Sequence, residues 1–311
     1  MKKLLFIILT LTFHMSLAQS DSALPDYKYA VERLTIFDDI EIAYVDEGAK
    51  DLPILLFIHG LGGNIMHWYP TIDELSSNFR CIAIDLPGYG LSTIRDFDSN
   101  DYIDFFSKTI DAFVRKIEGK EITLVGHSMG GQVSIAVALN NPKWLKTLVL
   151  AAPAGFETFT KEEGDLLKQY AAAPLLMNHN EAQIRAAYQM NFVEMPPLAE
   201  EMIQDRLNAK TADWFEAYAI VREKAVKGML DHPVADDLKS IEYKTYVLFG
   251  ANDKLIPNKY LHPNLTTDKV ANRGKEIPNA EIMMIEEAGH ILQIDNPSAF
   301  NKLLQNILTK Q

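Results

Sequence analysis

A serine hydroxyl becomes a nucleophile only where a base can take its proton and an acid can orient that base. Three residues of this 311-residue chain, Ser128, Asp253 and His290, have the types and the order for that task. Ser128 is the centre of Gly126-His127-Ser128-Met129-Gly130, a G-x-S-x-G sequence. A β-rich apolar run, 122–125, precedes it, and small and apolar residues over 132–139 follow, as in a packed helix. A serine on so tight a strand-to-helix turn is pushed out above a sheet, and the flanking glycines let the turn close. Asp253 follows Y-V-L-F-G-A-N and His290 follows I-M-M-I-E-E-A-G, so each falls just past a strand-like run. Glu157 and Glu286 are the alternative acids for orienting the imidazole.

The elements that must hold these residues are legible in the hydrophobic pattern. Segments 53–58 and 80–84 are continuously apolar, as strands buried on both faces are. Segments 145–151, 245–249 and 281–285 read as further strands. Alternation over 29–37 and 40–46 predicts an antiparallel hairpin. Helices are expected at 68–78, 102–118 and 297–308, with another inside 266–275. Strands alternating with helices predict a mostly parallel sheet covered by helices on both faces, with ligands beyond the carboxyl ends of the strands. His59-Gly60, Asp85, Ser128 and Pro153 all fall at such ends. Between 155 and 239 the spacing turns helical, with helices expected at 161–172, 181–194, 199–208 and 211–230. Pro174, Pro196-Pro197 and Pro233 break them. This stretch is expected to be an inserted all-helical lid on a core made of 19–154 and 240–311.

Five motifs now stand in order: H-G-L-G-G at 59–63, D-L-P-G-Y-G-L-S at 85–92, G-H-S-M-G-G at 126–131, G-A-N-D-K-L-I-P at 250–257 and G-H-I-L-Q-I-D-N-P at 289–297. With them the chain resembles the α/β-hydrolase fold family, over nearly all of its length. The resemblance implies a mostly parallel, eight-stranded sheet with a helical cap and a carboxylesterase- or lipase-like serine hydrolase. Family members usually carry Glu where Asp295 stands. It also implies an oxyanion hole made by the backbone N–H groups of Met129 and Leu61, with Gly62 in place of Leu61 if the loop is shifted. Beside that loop, Met66, His67 and Trp68 are candidate substrate contacts. In the lid the candidates are Phe156, Phe159, Tyr170, Met177, Tyr188, Met190, Phe192, Met195, Trp214, Phe215 and Tyr218, aromatic and flexible apolar side chains suited to an acyl pocket.

The first eighteen residues read as a signal peptide. Lys2-Lys3 precede an apolar run over 4–13, and Ser16-Leu17-Ala18 supplies small residues at a cleavage site. Export to the periplasm or the extracellular medium is therefore expected, with no stable membrane anchor after cleavage. Cleavage removes two lysines and no acid, taking the formal charge from −12 to −14. So acidic a surface disfavours nucleic acid as a partner. The single cysteine, Cys81, lies in an apolar run and reads as a buried inert thiol. No metal cluster, phosphate-binding loop or nucleotide fingerprint is present in the sequence, so neither metal nor cofactor is expected.

The expected function is a secreted or periplasmic serine hydrolase that cleaves a small-molecule carboxylic ester through an acyl-enzyme. Two alternatives stand beside it. One is a carbon–carbon bond hydrolase of the same fold, which would need a lid cation turned inward: Arg185, Arg206 or Arg222. The other is a ligand-binding protein with weak catalysis. Ser at the nucleophile position argues against haloalkane dehalogenases and epoxide hydrolases, which need an aspartate there.

Overall fold

The computed structural model describes residues 23–309. The proposed signal peptide, 1–18, lies outside them. Eight strands form one sheet: β1 (Glu32–Ile36), β2 (Ile40–Glu47), β3 (Ile54–Ile58), β4 (Arg80–Ile84), β5 (Ile122–His127), β6 (Leu145–Ala151), β7 (Lys244–Gly250) and β8 (Ala280–Ile285). Their order across the sheet is β1-β2-β4-β3-β5-β6-β7-β8. The β1–β2 hairpin pairs antiparallel and joins β4 antiparallel, while every pair from β4 to β8 is parallel. The hairpin's first strand starts at Glu32, later than the alternation from 29 suggests.

The central strands carry apolar runs because both of their faces are covered. Leu55, Leu56, Phe57 and Ile58 are all inaccessible to solvent, as are Leu148, Val149 and Leu150. Burying each such side chain stabilises the fold by roughly 1.5–3 kcal/mol. On the two faces lie α1 (Tyr69–Leu75), preceded by a 3₁₀ turn at Ile65–Trp68, then α2 (Tyr102–Lys116) and α3 (Met129–Leu139). Asp101 caps α2 by accepting from the N–H groups of Ile103 and Asp104. Helix α3 is buried on nearly every side, which explains its lack of a polar face.

Five α-helices and a 3₁₀ turn at Ala235–Ser240 separate β6 from β7: α4 (Lys161–Tyr170), α5 (Ala173–Asn178), α6 (Glu181–Gln189), α7 (Pro197–Ala209) and α8 (Phe215–Asp231). Capping boxes open α4, with Thr160 and Glu163, and α6, with Asn180 and Gln183. Pro174 stands at the break after α4, as the sequence suggests, but a further short helix begins there. It sits in the first turn of α5, where its missing N–H would have had no intrahelical partner. The chain closes with α9 (Thr267–Ala271), α10 (Leu292–Asp295) and α11 (Pro297–Thr309).

Cys81 is buried in β4, and burial pushes its thiol up to about 12. No helix among the described residues is long and apolar enough to cross a membrane.

Candidate active site

The parallel register sets Ile58 of β3 beside Gly126 of β5 and His127 beside Ala151 of β6, so three strand ends open onto one place. Ser128 leaves β5 with φ +53° and ψ −117°, a conformation few side chains adopt. Several bonds hold it there. Its N–H donates to Ala151, and its carbonyl accepts from Gly131, Gln132 and Ala154. A Cβ at Gly126 would stand 2.4 Å from the carbonyl oxygen of Gly130, and one at Gly130 would stand 2.5 Å from those of Ile58 and His59. Both glycines are there because backbone passes that close.

His290 and Asp253 come from the loops after β8 and β7. His290 Nε2 lies 2.9 Å from Ser128 Oγ, and Nδ1 lies 2.8 Å from Asp253 Oδ2. The other carboxylate oxygen of Asp253 accepts from the N–H groups of Leu255 (2.7 Å) and Ile256 (2.9 Å). As a carboxylate Asp253 can only accept, so the hydrogen sits on Nδ1 and Nε2 faces the serine as a bare acceptor. Both side chains are buried. The two alternative acids are elsewhere. Glu157 accepts from Asn258 N–H and pairs with His262, while Glu286 is exposed.

The His290 loop is clasped to the segment after α6. Asn191 O accepts from the N–H groups of His290 and Ile291. Asp295 Oδ2 accepts from Gly289 N–H (2.6 Å) and Val193 N–H (2.8 Å). Here the shorter Asp serves as a two-point anchor, where the family usually has Glu.

Three further imidazoles line up beside the base. The ring centres of His59 and His67 lie 6.5 Å apart, those of His67 and His127 5.8 Å, and those of His127 and His290 5.0 Å. Burial drives His59 down to about 4 and His67 down to about 3. It also holds His127 well below its ordinary value, with the neighbouring His290 adding to the effect. His59 accepts from Leu86 N–H at Nε2 and faces Gly60 O with Nδ1, which shapes the 59–63 loop. That loop lies against the serine, since a Cβ at Gly60 would stand 3.1 Å from the Ser128 Cβ. The N–H groups of Leu61 and Met129 have no acceptor among the described residues. Met129 opens α3, where backbone N–H groups are left free by helix geometry.

Above Ser128 is a cavity of about 350 Å³. Its apolar wall includes Leu61, Leu176, Ile184, Tyr188, Met190 and Ile291, and its polar wall includes His67, His179, Arg206 and Arg222. Met66, Trp68 and Phe156 do not line it, contrary to the sequence expectation. Trp68 is packed between Phe57 and Phe300, Phe156 rests on Phe249, and Met66 is buried in the main core. Large apolar side chains beside the loop turn into the core because the sheet offers more apolar contact than the cavity does. Of the candidates between 155 and 239 only Tyr188 and Met190 line the cavity. Phe159 stacks on His262, and Tyr170 is exposed. Sequence reasoning missed His179, Asn191 and Leu176, which carry no motif. No group of three or more metal-binding side chains occurs among the described residues.

A family model described as the alpha/beta hydrolase family matches residues 55–303. Over 82% of its length the chain is 27% identical to the dihydrolipoyllysine-residue acetyltransferase component of the acetoin cleaving system of Pseudomonas putida. It spans 63% of that protein, less than two thirds of it. It is also 25% identical to the 2-hydroxy-6-oxo-2,4-heptadienoate hydrolase of Pseudomonas putida, over 90% of this chain and 97% of that one. Among solved structures, a probable hydrolytic enzyme from Pseudomonas aeruginosa superposes with a TM-score of 0.79 at 22% identity, covering 90% of this chain and 95% of that one. That likeness is one of fold.

Proposed function

The chain belongs to the alpha/beta hydrolase family, and within it we propose a serine hydrolase that cleaves small carboxylic esters through an acyl-enzyme on Ser128. The observation that carries the reading is the unbroken relay from Asp253 through His290 to Ser128, at 2.8 and 2.9 Å. In the first step His290 Nε2 takes the Ser128 proton as Oγ attacks the ester carbonyl. Asp253 holds the ring in the tautomer that makes this possible and stabilises the imidazolium. The N–H groups of Met129 and Leu61 receive the oxyanion, each worth ~10²–10³ in rate. His290 then protonates the leaving alcohol. A water activated by the same imidazole releases the acid and restores the serine.

In this account 155–239 is the lid, and its Leu176, Ile184, Tyr188 and Met190 form the wall that receives the substrate's apolar part. A cavity of about 350 Å³ lies at the small end of ligand sites, which supports a short ester over a long-chain lipid. A signal peptide at 1–18, cleaved on export, would direct the enzyme out of the cytoplasm.

A second reading, hydrolysis of a carbon–carbon bond by the same triad, is favoured by relatives such as the hydrolase of 2-hydroxy-6-oxo-2,4-heptadienoate, a keto acid rather than an ester. Rates on p-nitrophenyl esters of increasing acyl length test the proposal. Turnover with an optimum at short chains, lost in Ser128→Ala, is expected. A protein that binds these esters and turns none over would be a carbon–carbon hydrolase or a ligand-binding protein instead.

A further inference from the structure

Three lid arginines have different surroundings. Arg185 on α6 faces outward and is paired with Glu181 and Glu200. Arg206 on α7 and Arg222 on α8 reach the Ser128 cavity. Arg222 makes no hydrogen bond or ion pair among the described residues, and its Nε is buried with no partner. One turn earlier on α8, the buried Tyr218 hydroxyl is also unpartnered. Arg206 donates one hydrogen to Gly62 O at 2.7 Å and lies over the Tyr218 ring at 4.6 Å, leaving the rest of its fork unused.

These donors converge. A Cβ placed on Gly62 would stand 3.1 Å from Tyr218 Oη, 3.3 Å from Arg206 Nη2 and 3.3 Å from Arg222 Nε. No Asp or Glu lines the cavity, although the chain carries 42 acids against 30 Lys and Arg. Asp205 lines the smaller adjoining cavity of about 50 Å³, together with Tyr218 and another part of Arg206. Both arginines are half-buried, and guanidinium nitrogens withdrawn from water without a full set of acceptors are costly to keep. Their planar forks match the two oxygens of a carboxylate or a phosphate.

We propose that the substrate carries an oxyanionic group away from the bond attacked by Ser128, and that Arg222 and Arg206 hold it. The position of the reacting bond rests on the serine-hydrolase reading; the anion site itself does not. The substrate class is then a small ester, or keto acid, with a carboxylate or phosphate at its far end. A neutral ester of the same size leaves these donors unsatisfied and binds less well, since polar groups buried without partners weaken binding.

Calorimetric titration of the full chain bearing Ser128→Ala tests this without requiring turnover. The probes are monomethyl glutarate, its neutral counterpart dimethyl glutarate, and glycerol 3-phosphate. The anions should bind, and adding Arg222→Met should weaken them roughly 10- to 100-fold. Arg222→Lys, which keeps the charge without the fork, should fall between. Dimethyl glutarate should bind more weakly than either anion. Tighter binding of glycerol 3-phosphate would assign the group as a phosphate, and tighter binding of monomethyl glutarate would assign it as a carboxylate. The proposal is overturned if neither anion binds, if the diester binds as tightly as the tighter-binding anion, or if Arg222→Met changes nothing. Failure of ester hydrolysis by the wild type would sink the hydrolase reading instead, and these titrations would still read the anion site.

Discussion

His127 Nε2 lies 2.9 Å from the backbone carbonyl oxygen of His290, so the residue before the nucleophile holds the segment that carries the base. His127 stays neutral because burial keeps its pKa low. It can therefore donate from Nε2 alone, leaving Nδ1 bare, and that atom is buried without a partner. The strand end thus fixes the serine and the imidazole as one unit. Replacing His127 with Ala should lower kcat roughly tenfold with little change in KM, and cost about 1–3 kcal/mol of stability through the stranded carbonyl. Steady-state kinetics beside urea unfolding separate the two effects. A KM effect alone would contradict the positioning role.

Asp253→Asn keeps the size of the side chain but offers the imidazole an amide that can present a donor. The ring would then be held in the wrong tautomer, with Nε2 no longer bare. A loss of ~10⁴ in kcat is expected with the fold intact. Loss of less than tenfold would show that Asp253 only shapes its turn, through Leu255 and Ile256.

Gly130→Ala sets two effects against each other. Alanine in a helix gains about 1 kcal/mol over glycine. Its Cβ, however, would press on the carbonyl oxygens of Ile58 and His59 at 2.5 Å, and backbone cannot yield as a side-chain tip can. Overpacking of that kind costs about 1–3 kcal/mol and sometimes more, so the sterics win. The variant should unfold at lower urea than wild type and lose activity, because the elbow that lifts Ser128 would move. Gly164→Ala in α4, where an added Cβ meets nothing within 4 Å, is the control and should be neutral or stabilising.

The buried imidazoles make the fold acid-labile. His59 titrates at about 4 and His67 at about 3 in the folded chain, against 6.5 when exposed. Between these limits the unfolded chain binds the extra protons. Stability is therefore fully present above pH 6.5 and is lost as pH falls toward 4, by up to about 1.4 kcal/mol per pH unit for each imidazole. Urea midpoints from pH 7 to pH 5 should fall steeply in wild type and less steeply in His67→Gln. Equal slopes would mean that His67 takes no part.

The sheet and the meeting of Ser128, Asp253 and His290 were legible because each rests on local signals. Apolar runs mark the buried strands, and the glycines flanking Ser128 mark a close backbone passage. Strand ends then bring residues far apart in sequence to one edge. The helical segment between β6 and β7 was less legible. Helix α8 carries Arg222 and Glu223 on different sides, and only packing decides that Arg222 faces the cavity while Glu223 turns to Ala173 N–H. Met66, Trp68 and Phe156 illustrate the same point from the other direction. Their positions in sequence lie beside the site, but the core competes for large apolar side chains and takes them. The anchoring of the His290 loop by Asn191 O was invisible for another reason: a backbone acceptor leaves no trace in residue type.

The central claim is that Ser128 is an activated nucleophile. Intact-mass measurement after treatment with a fluorophosphonate tests it most directly. One adduct per chain is expected in the wild type, none in Ser128→Ala, and much slower labelling in His290→Ala. A wild-type chain that takes up no adduct, or a Ser128→Ala chain labelled as fast as wild type, would contradict it.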